Sequence, residues 1–291
     1  MRIQRTVSDL KPLFLILFLS AAGTLCLMSS TYYLQMPFSP WFALVSTGII
    51  FAIYILNCFT DVREDFANDL PKLLFFTNRK FLYQIGIVTL CFVLFLLTIQ
   101  RKLVIYPVVL VAIGILYSFR LIPWYNAAEG FHFRRLKEFV LVKNLLVSAL
   151  WGASVFILPY ILHDMPVQLS HSVIALMIAF GISTLCNSIF NDVRDIIGDR
   201  MAGSKTIPIL IGTRASYWSI GVINFLWMVA TGWMLQVNWI DSRHALLLVA
   251  LALFPLSCIF LYRNNLLSRG NLDFYSEADL VIFAGGIFLL A

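Results

Sequence analysis

An all-α fold that crosses a membrane many times is what this sequence predicts, and three observations carry the prediction. Charged residues make up 12% of the 291 positions and hydrophobic ones 60%, against roughly 25% charged in a soluble domain. The apolar residues gather into runs of about 20, the length a helix needs to cross a hydrocarbon layer, whereas barrel strands would alternate polar and apolar over about 10. When these runs are threaded back and forth, all but Arg101, Lys102 and Arg243 of the 21 Lys and Arg residues fall on the side of the amino terminus. That asymmetry marks an inner face.

The runs follow in order. Residues 12–34 come after a basic start carrying Arg2, Arg5 and Lys11. This run is too long for a signal peptide and lacks a small-residue cleavage site, so it reads as the first membrane helix. Residues 40–60 make the second crossing, and a long inner loop rich in acids and bases leads to the third and fourth, 81–100 and 103–119. A second inner loop, with Arg120, Glu129, His132, Arg134, Arg135, Lys137 and Glu138, precedes the fifth, 139–162. The sixth, 171–190, opens onto a third charged inner loop, and 215–236 and 244–262 follow. A ninth run, 278–291, is short and reads as a tilted or truncated helix. The predicted unit is one membrane domain of about nine helices over 1–291, with no extramembrane domain or linker. The formal charge of +6 follows from the inner-face bias and requires no nucleic-acid partner. Cys26, Cys58, Cys91, Cys186 and Cys258 have no paired spacing and read as apolar fillers. The four histidines lack ligand spacing as well.

Two acidic stretches stand at the inner ends of the second and sixth runs: Asn57, Asp61 and Asp65, then Asn191, Asp195 and Asp199, with Asp192 beside the latter. On a continuous helix, residues four apart share a face with Cβ atoms about 6 Å apart. Carboxylates stacked in this way repel one another and call for a cation. A solvated loop would explain the charges, but not the run Asp192, Asp195, Gly198, Asp199, Gly203, Thr206, Pro208. Mg²⁺ prefers one or two carboxylates together with substrate phosphate oxygens, so two such ladders suit a diphosphate held through more than one ion. Their recurrence four helices apart suggests a parallel repeat with the site where the halves meet. The acids Asp61, Asp65, Asp192, Asp195 and Asp199 are therefore the expected metal ligands.

Cations and hydrogen-bonding groups near the ladders would complete a diphosphate site. Lys72 follows the first ladder, and Arg200 and Lys205 follow the second. Tyr117, Ser118, Lys137, Lys143 and Asn144 flank the second inner loop. An ordinary basic loop would look the same in isolation; beside two acidic ladders its cations can neutralise phosphate oxygens that metals do not reach. Aromatic residues are abundant, 25 Phe, 11 Tyr and 7 Trp. They fit either a pocket that shields a carbocation or lipid-facing bulk.

Taken together, these motifs resemble the UbiA family of membrane prenyltransferases. The resemblance rests on Asn57, Asp61 and Asp65, on Tyr117-Ser118 and Arg135-Leu136-Lys137, and on the second acidic motif at 192–199, and it spans nearly the whole chain. It implies a helical bundle around a central cavity and Mg²⁺ as cofactor. It also implies ionisation of a polyprenyl diphosphate to an allylic cation that alkylates an aromatic or lipid acceptor. Asp61, Asp65, Asp195 and Asp199 would be the catalytic acids, and Asn57, Lys72, Tyr117, Ser118, Lys137, Lys143, Asn144, Asn191, Arg200 and Lys205 the substrate contacts. The sequence departs from the pattern at Cys58, where the family often has an acid, and at 69–79, where the usual arginines give way to Lys72 and Arg79. The expected location is a bacterial inner membrane, multi-pass, with the amino terminus and the motif loops cytoplasmic. Two other readings remain open: a cyclase of the same fold acting on prenyl diphosphate without an acceptor, and a secondary transporter. A transporter would place its charges near the bilayer midplane, however, and here they lie at one face.

Overall fold

The computed structural model of the chain describes residues 2–99, 105–126, 130–139, 141–267 and 269–291. Arg101, Lys102 and Glu129, named above in the loops, lie outside these residues. Long apolar helices follow the predicted runs closely: α1 (Arg2–Tyr33), α2 (Pro40–Thr60), then the short α3 (Val62–Asn68) and α4 (Leu70–Thr77), α5 (Phe81–Ile99) and α6 (Ile105–Ser118). A hairpin, β1 (Ile122–Asn126) with β2 (Gly130–Arg134), and a single 3-10 turn at Leu136–Glu138 come next. Then follow α7 (Val142–Leu162), α8 (His171–Arg194), α9 (Ile196–Ala202), α10 (Ile207–Ile211), α11 (Thr213–Gln236), α12 (Ser242–Arg263), α13 (Arg269–Ser276) and α14 (Asp279–Leu290).

Among the described residues, six helices are long and apolar enough to cross a membrane: Leu10–Tyr33, Pro40–Thr60, Val142–Ile161, His171–Arg194, Thr213–Gln236 and Ser242–Arg263. At 14 and 12 residues, α6 and α14 fall short of a full crossing. The hairpin was not anticipated. Its antiparallel register pairs Trp124 with His132 and Tyr125 with Phe131, and Gly130 supplies the left-handed backbone (φ 74°) that begins β2.

The chain forms two compact units. One comprises Met1–Ser20, Leu44–Lys143 and Asp195–Thr206. Its core joins Ile16 of α1, Ile55 and Cys58 of α2, Phe75 and Phe76 of α4, and Leu82 of α5. Phe75, Phe76 and Phe59 pack edge to face, with centroids 5.0 and 5.7 Å apart. This packing seats α4 against the end of α2, so that the short helices carrying the first acidic motif rest on a buried aromatic base.

The other unit comprises Ala21–Ala43, Asn144–Arg194 and Ile207–Ala291. Here α8 is the central helix, packing on α11, α12 and α14. Small residues set the closest approach: a Cβ on Gly152 of α7 would lie 2.7 Å from the carbonyl of Met177 and 3.1 Å from Gly181 Cα in α8. Membrane helices come together through such small-residue contacts, where side chains cannot keep the backbones apart.

Candidate diphosphate site

Both acidic ladders break at their first aspartate, and in the same way. Helix α2 stops at Thr60, Asp61 takes φ −98°, ψ 22°, and α3 starts at Val62. Likewise α8 stops at Arg194, Asp195 takes φ −100°, ψ 10°, and α9 starts at Ile196. The helical hydrogen bonding is not lost: the Asp61 amide still reaches the Asn57 carbonyl at 3.0 Å, Asp65 reaches Asp61 at 2.9 Å and Asp199 reaches Asp195 at 3.1 Å. The expected continuous helix is thus a kinked one that keeps the four-residue spacing.

Within the first unit α3 and α9 pack on one another, and Asn68 Oδ1 accepts the Gly198 amide at 2.8 Å. Asp61, Asp65, Asp195 and Asp199 are thereby carried on two adjoining short helices. Asp65 and Asp199 are buried, at 8% and 4% exposure, each in the first turn of its helix.

Cations from two directions meet the first ladder. Lys137 Nζ donates to Asp61 Oδ1, and Arg135 Nη1 donates to the same oxygen at 3.2 Å. Arg135 also donates through Nε to Glu138 at 2.8 Å, and Glu138 accepts from Arg120 at 3.1 Å. Burial alone would raise the Glu138 carboxyl, but the two guanidinium groups outweigh it and hold the carboxyl below the usual glutamate range. On the other side Lys72 Nζ lies 3.1 and 3.0 Å from the two oxygens of Asp65. Burial pushes the Asp65 carboxyl up, opposed by the Lys72 charge. The Tyr117 ring lies 5.9 Å from Lys137 Nζ, and Ser118 Oγ donates to Asn57 Oδ1 at 3.4 Å.

The structure therefore brings Asn57, Asp61, Asp65, Lys72, Tyr117, Ser118 and Lys137 into one network, with Asp195 and Asp199 on the neighbouring helix. Arg200 and Lys205 are exposed, outside this buried network, and Lys143 is partly buried at the start of α7. The remaining residues belong to the second unit. Asn144 donates to Asp192 Oδ2 at 2.9 Å and to Ser188 at 2.8 Å, which fixes the Asp192 carboxylate. Asn191 bonds Glu277, leaving its Oδ1 buried and unmatched.

Sequence reasoning missed Glu138 and Asn68 as members of the site, and it placed Arg135 in the basic motif without counting it among the substrate contacts. Arg135 sits in extended backbone (φ −87°, ψ 152°) two residues before Lys137, and that i, i+2 spacing of cations after a strand was the available signal. Nothing in the sequence marked Asn68, because its partner is a backbone amide on a distant segment.

The donor set consists of hard carboxylate and amide oxygens, the chemistry that suits Mg²⁺. Among the described residues no three His, Cys, Asp or Glu side chains converge on one point. An ion here would need oxygens from a bound substrate, as Mg²⁺ at phosphate sites ordinarily does. The residues fit such an ion. Acids paired with Lys and Arg would then exchange partners on loading, carboxylates turning to metal and cations to phosphate.

Residues 125–271 match the sequence model of the UbiA prenyltransferase family. No curated protein sequence matches the chain. Among solved structures, a UbiA homolog from Archaeoglobus fulgidus bound to GPP and Mg²⁺ is similar, with TM-score 0.64 and 15% identity over 97% of this chain and 98% of that one. The apo UbiA homolog from Aeropyrum pernix K1 gives TM-score 0.63 and 14% identity, over 94% and 97%. A digeranylgeranylglyceryl phosphate synthase structure gives 0.57 and 16%, over 99% and 100%. At these identities the likeness is one of fold.

Proposed function

Because the chain belongs to the UbiA prenyltransferase family, we propose that it transfers a polyprenyl group from a prenyl diphosphate to an aromatic or lipid acceptor within the membrane. The observation that carries this reading is the alternation of acid and cation in one place: Asp61 with Lys137 and Arg135, Asp65 with Lys72, and Asp195 and Asp199 on the helix beside them. Similar folds have been solved with DMAPP or GPP and Mg²⁺ bound, which supports the same class of donor here.

Asp61, Asp65, Asp195 and Asp199 would hold Mg²⁺. When bound, Mg²⁺ supplies positive charge that stabilises the diphosphate leaving group as the carbon–oxygen bond breaks. Lys137, Arg135 and Lys72, passing from Asp61 and Asp65 to phosphate, would add positive charge where the leaving group develops its own negative charge. Tyr117, whose ring faces Lys137, is placed to present its negative face to an allylic cation formed nearby. The acceptor then attacks the cation and releases a proton.

Mass spectrometry of products tests the reading. Purified protein with Mg²⁺, geranylgeranyl diphosphate and a panel of quinone-precursor, chlorophyllide and glycerol-phosphate acceptors should yield a prenylated adduct that EDTA abolishes. Terpene formed without adduct would replace transfer by cyclisation, and no consumption of prenyl diphosphates of several lengths would overturn both.

A further inference from the structure

The hairpin between α6 and the 3-10 turn has two unlike faces. Residues opposite one another in its register share a side, so Pro123, Tyr125, Phe131 and Phe133 make one face, and Ile122, Trp124, His132 and Arg134 the other. The second face is partly covered and carries the polar groups: Trp124, 41% exposed, meets Phe139 edge to face at 5.1 Å, Arg134 lies 5.7 Å from the Trp124 ring, and Arg134 donates to His132 at 3.0 Å. The first face is bare. Tyr125 is 71% exposed, Phe131 66% and Phe133 51%, and Pro123 is exposed beside them. Phe131 and Phe133 touch only in a T-shaped contact at 5.5 Å.

We propose that this aromatic face lies in the headgroup–acyl boundary of the same bilayer that the helices cross, as an interfacial anchor for the loop that carries Arg135 and Lys137. Three features select lipid as the occupant. The first is continuity: exposed Ile115 and Leu116 on α6, an apolar helix of 14 residues, lead to exposed Phe119 and then to exposed Leu121, which adjoins β1. The second is reach. Only residues 119–121 separate α6 from β1, which limits the hairpin to about 10 Å from the helix end. The third is composition: rings with a polar tip or edge are the residues that settle at the interface between water and hydrocarbon. The apolar side faces the acyl boundary and the side bearing His132 and Arg134 faces water, as in interfacial amphipathic elements.

The surface is testable without any assay of catalysis. A nitroxide is placed at Phe131→Cys, Tyr125→Cys or His132→Cys in a Cys91→Ala background, since the other four cysteines are buried. Each protein is reconstituted in nanodiscs of phosphatidylcholine and phosphatidylglycerol, and collisions with O₂ are compared with those of a nickel chelate. Labels at 125 and 131 should favour O₂ several-fold over the chelate, and the label at 132 should show the reverse. Labels at 125 and 131 as open to nickel as the one at 132 would overturn the proposal, leaving the face in water. Labels at both sites shielded from both reagents would overturn it as well, in favour of a protein partner. Two positions on one face guard against a single label that disturbs the fold.

Discussion

At the scale of single residues, Asp61 bears the heaviest demand, because Lys137, Arg135 and the Thr60 hydroxyl all converge on its Oδ1. Replacing it as Asp61→Asn keeps the shape but removes the charge that would hold a metal. Turnover should fall roughly 10²–10³-fold, the usual loss when one electrostatic group is deleted from a polar transition state. Product yield by mass spectrometry reads this, and near-normal activity would remove Asp61 from the site. Glu277 offers a test of a different kind. Burial, and after it the charge of Asp279, push its carboxyl up to about 8 from 4.5. An acid whose pKa is raised on folding favours the fold while protonated, so its contribution is complete below about pH 4.5 and disappears as pH rises through about 8. Glu277→Gln should melt with the natural protein near pH 5 and a few degrees above it at pH 8.5, where the natural side chain has ionised; equal melting at both pH values would contradict the shift. Single acids of the ladders were legible because a four-residue period is visible in the sequence. Glu277 was not, since its neighbours Asn191 and Arg194 lie more than 80 positions away.

Elements show where sequence reading succeeds and where it fails. Long apolar helices were readable almost to the residue, as for α2 at Pro40–Thr60, because burial in lipid demands an unbroken apolar run. Short elements at the membrane ends were not. The hairpin carries Pro123 and runs into Arg134 and Arg135, so it read as a basic loop, and the breaks at Asp61 and Asp195 change one residue's dihedrals without changing the periodicity. Contacts between helices were equally hidden. Helices α7 and α8 meet at Gly152, where an added Cβ would strike the Met177 carbonyl, and they are tied at one end by Asn144 with Asp192 and Ser188. Gly152→Ala should therefore destabilise the protein by about 1–3 kcal/mol, the range for overpacking, seen as a lower melting temperature in detergent. Glycine 221, with nothing near its Cβ position, is the control: Gly221→Ala should leave the melting temperature unchanged or raise it. A second pairing, Arg194 Nη1 with Asp273 Oδ1 at 2.5 Å, joins the end of α8 to α13. Arg194→Ala removes this contact and should lower stability, and the reciprocal exchange Arg194→Asp with Asp273→Arg should recover part of the loss; no recovery would reduce the contact to coincidence.

At the scale of the whole molecule, loading with metal and diphosphate should act through linkage to folding. If diphosphate is gripped largely through metal, Mg²⁺ or prenyl diphosphate alone should stabilise the protein little and the two together much more. A ligand present at a hundredfold excess over its Kd contributes about 2.7 kcal/mol to the folded state, a shift easily read by differential scanning fluorimetry. Equal shifts from diphosphate with and without EDTA would assign the binding to Lys72, Arg135 and Lys137 alone. The broad class of the molecule was open to reading from its hydropathy, and the proposed chemistry rests on two short motifs. Their relation to one another emerged only in the fold, from the bond between Asn68 Oδ1 and the Gly198 amide. That single bond has a consequence for how such a chain can change over generations. Adding or deleting one residue between Asp61 and Asn68 would turn the acids by about 100° relative to the neighbouring helix and move Asn68 away from Gly198. The same holds between Asp195 and Gly198. Substitutions can accumulate on either helix independently, but a change of length in one would have to be answered in the other, so the two segments should keep their lengths in step while their sequences drift apart.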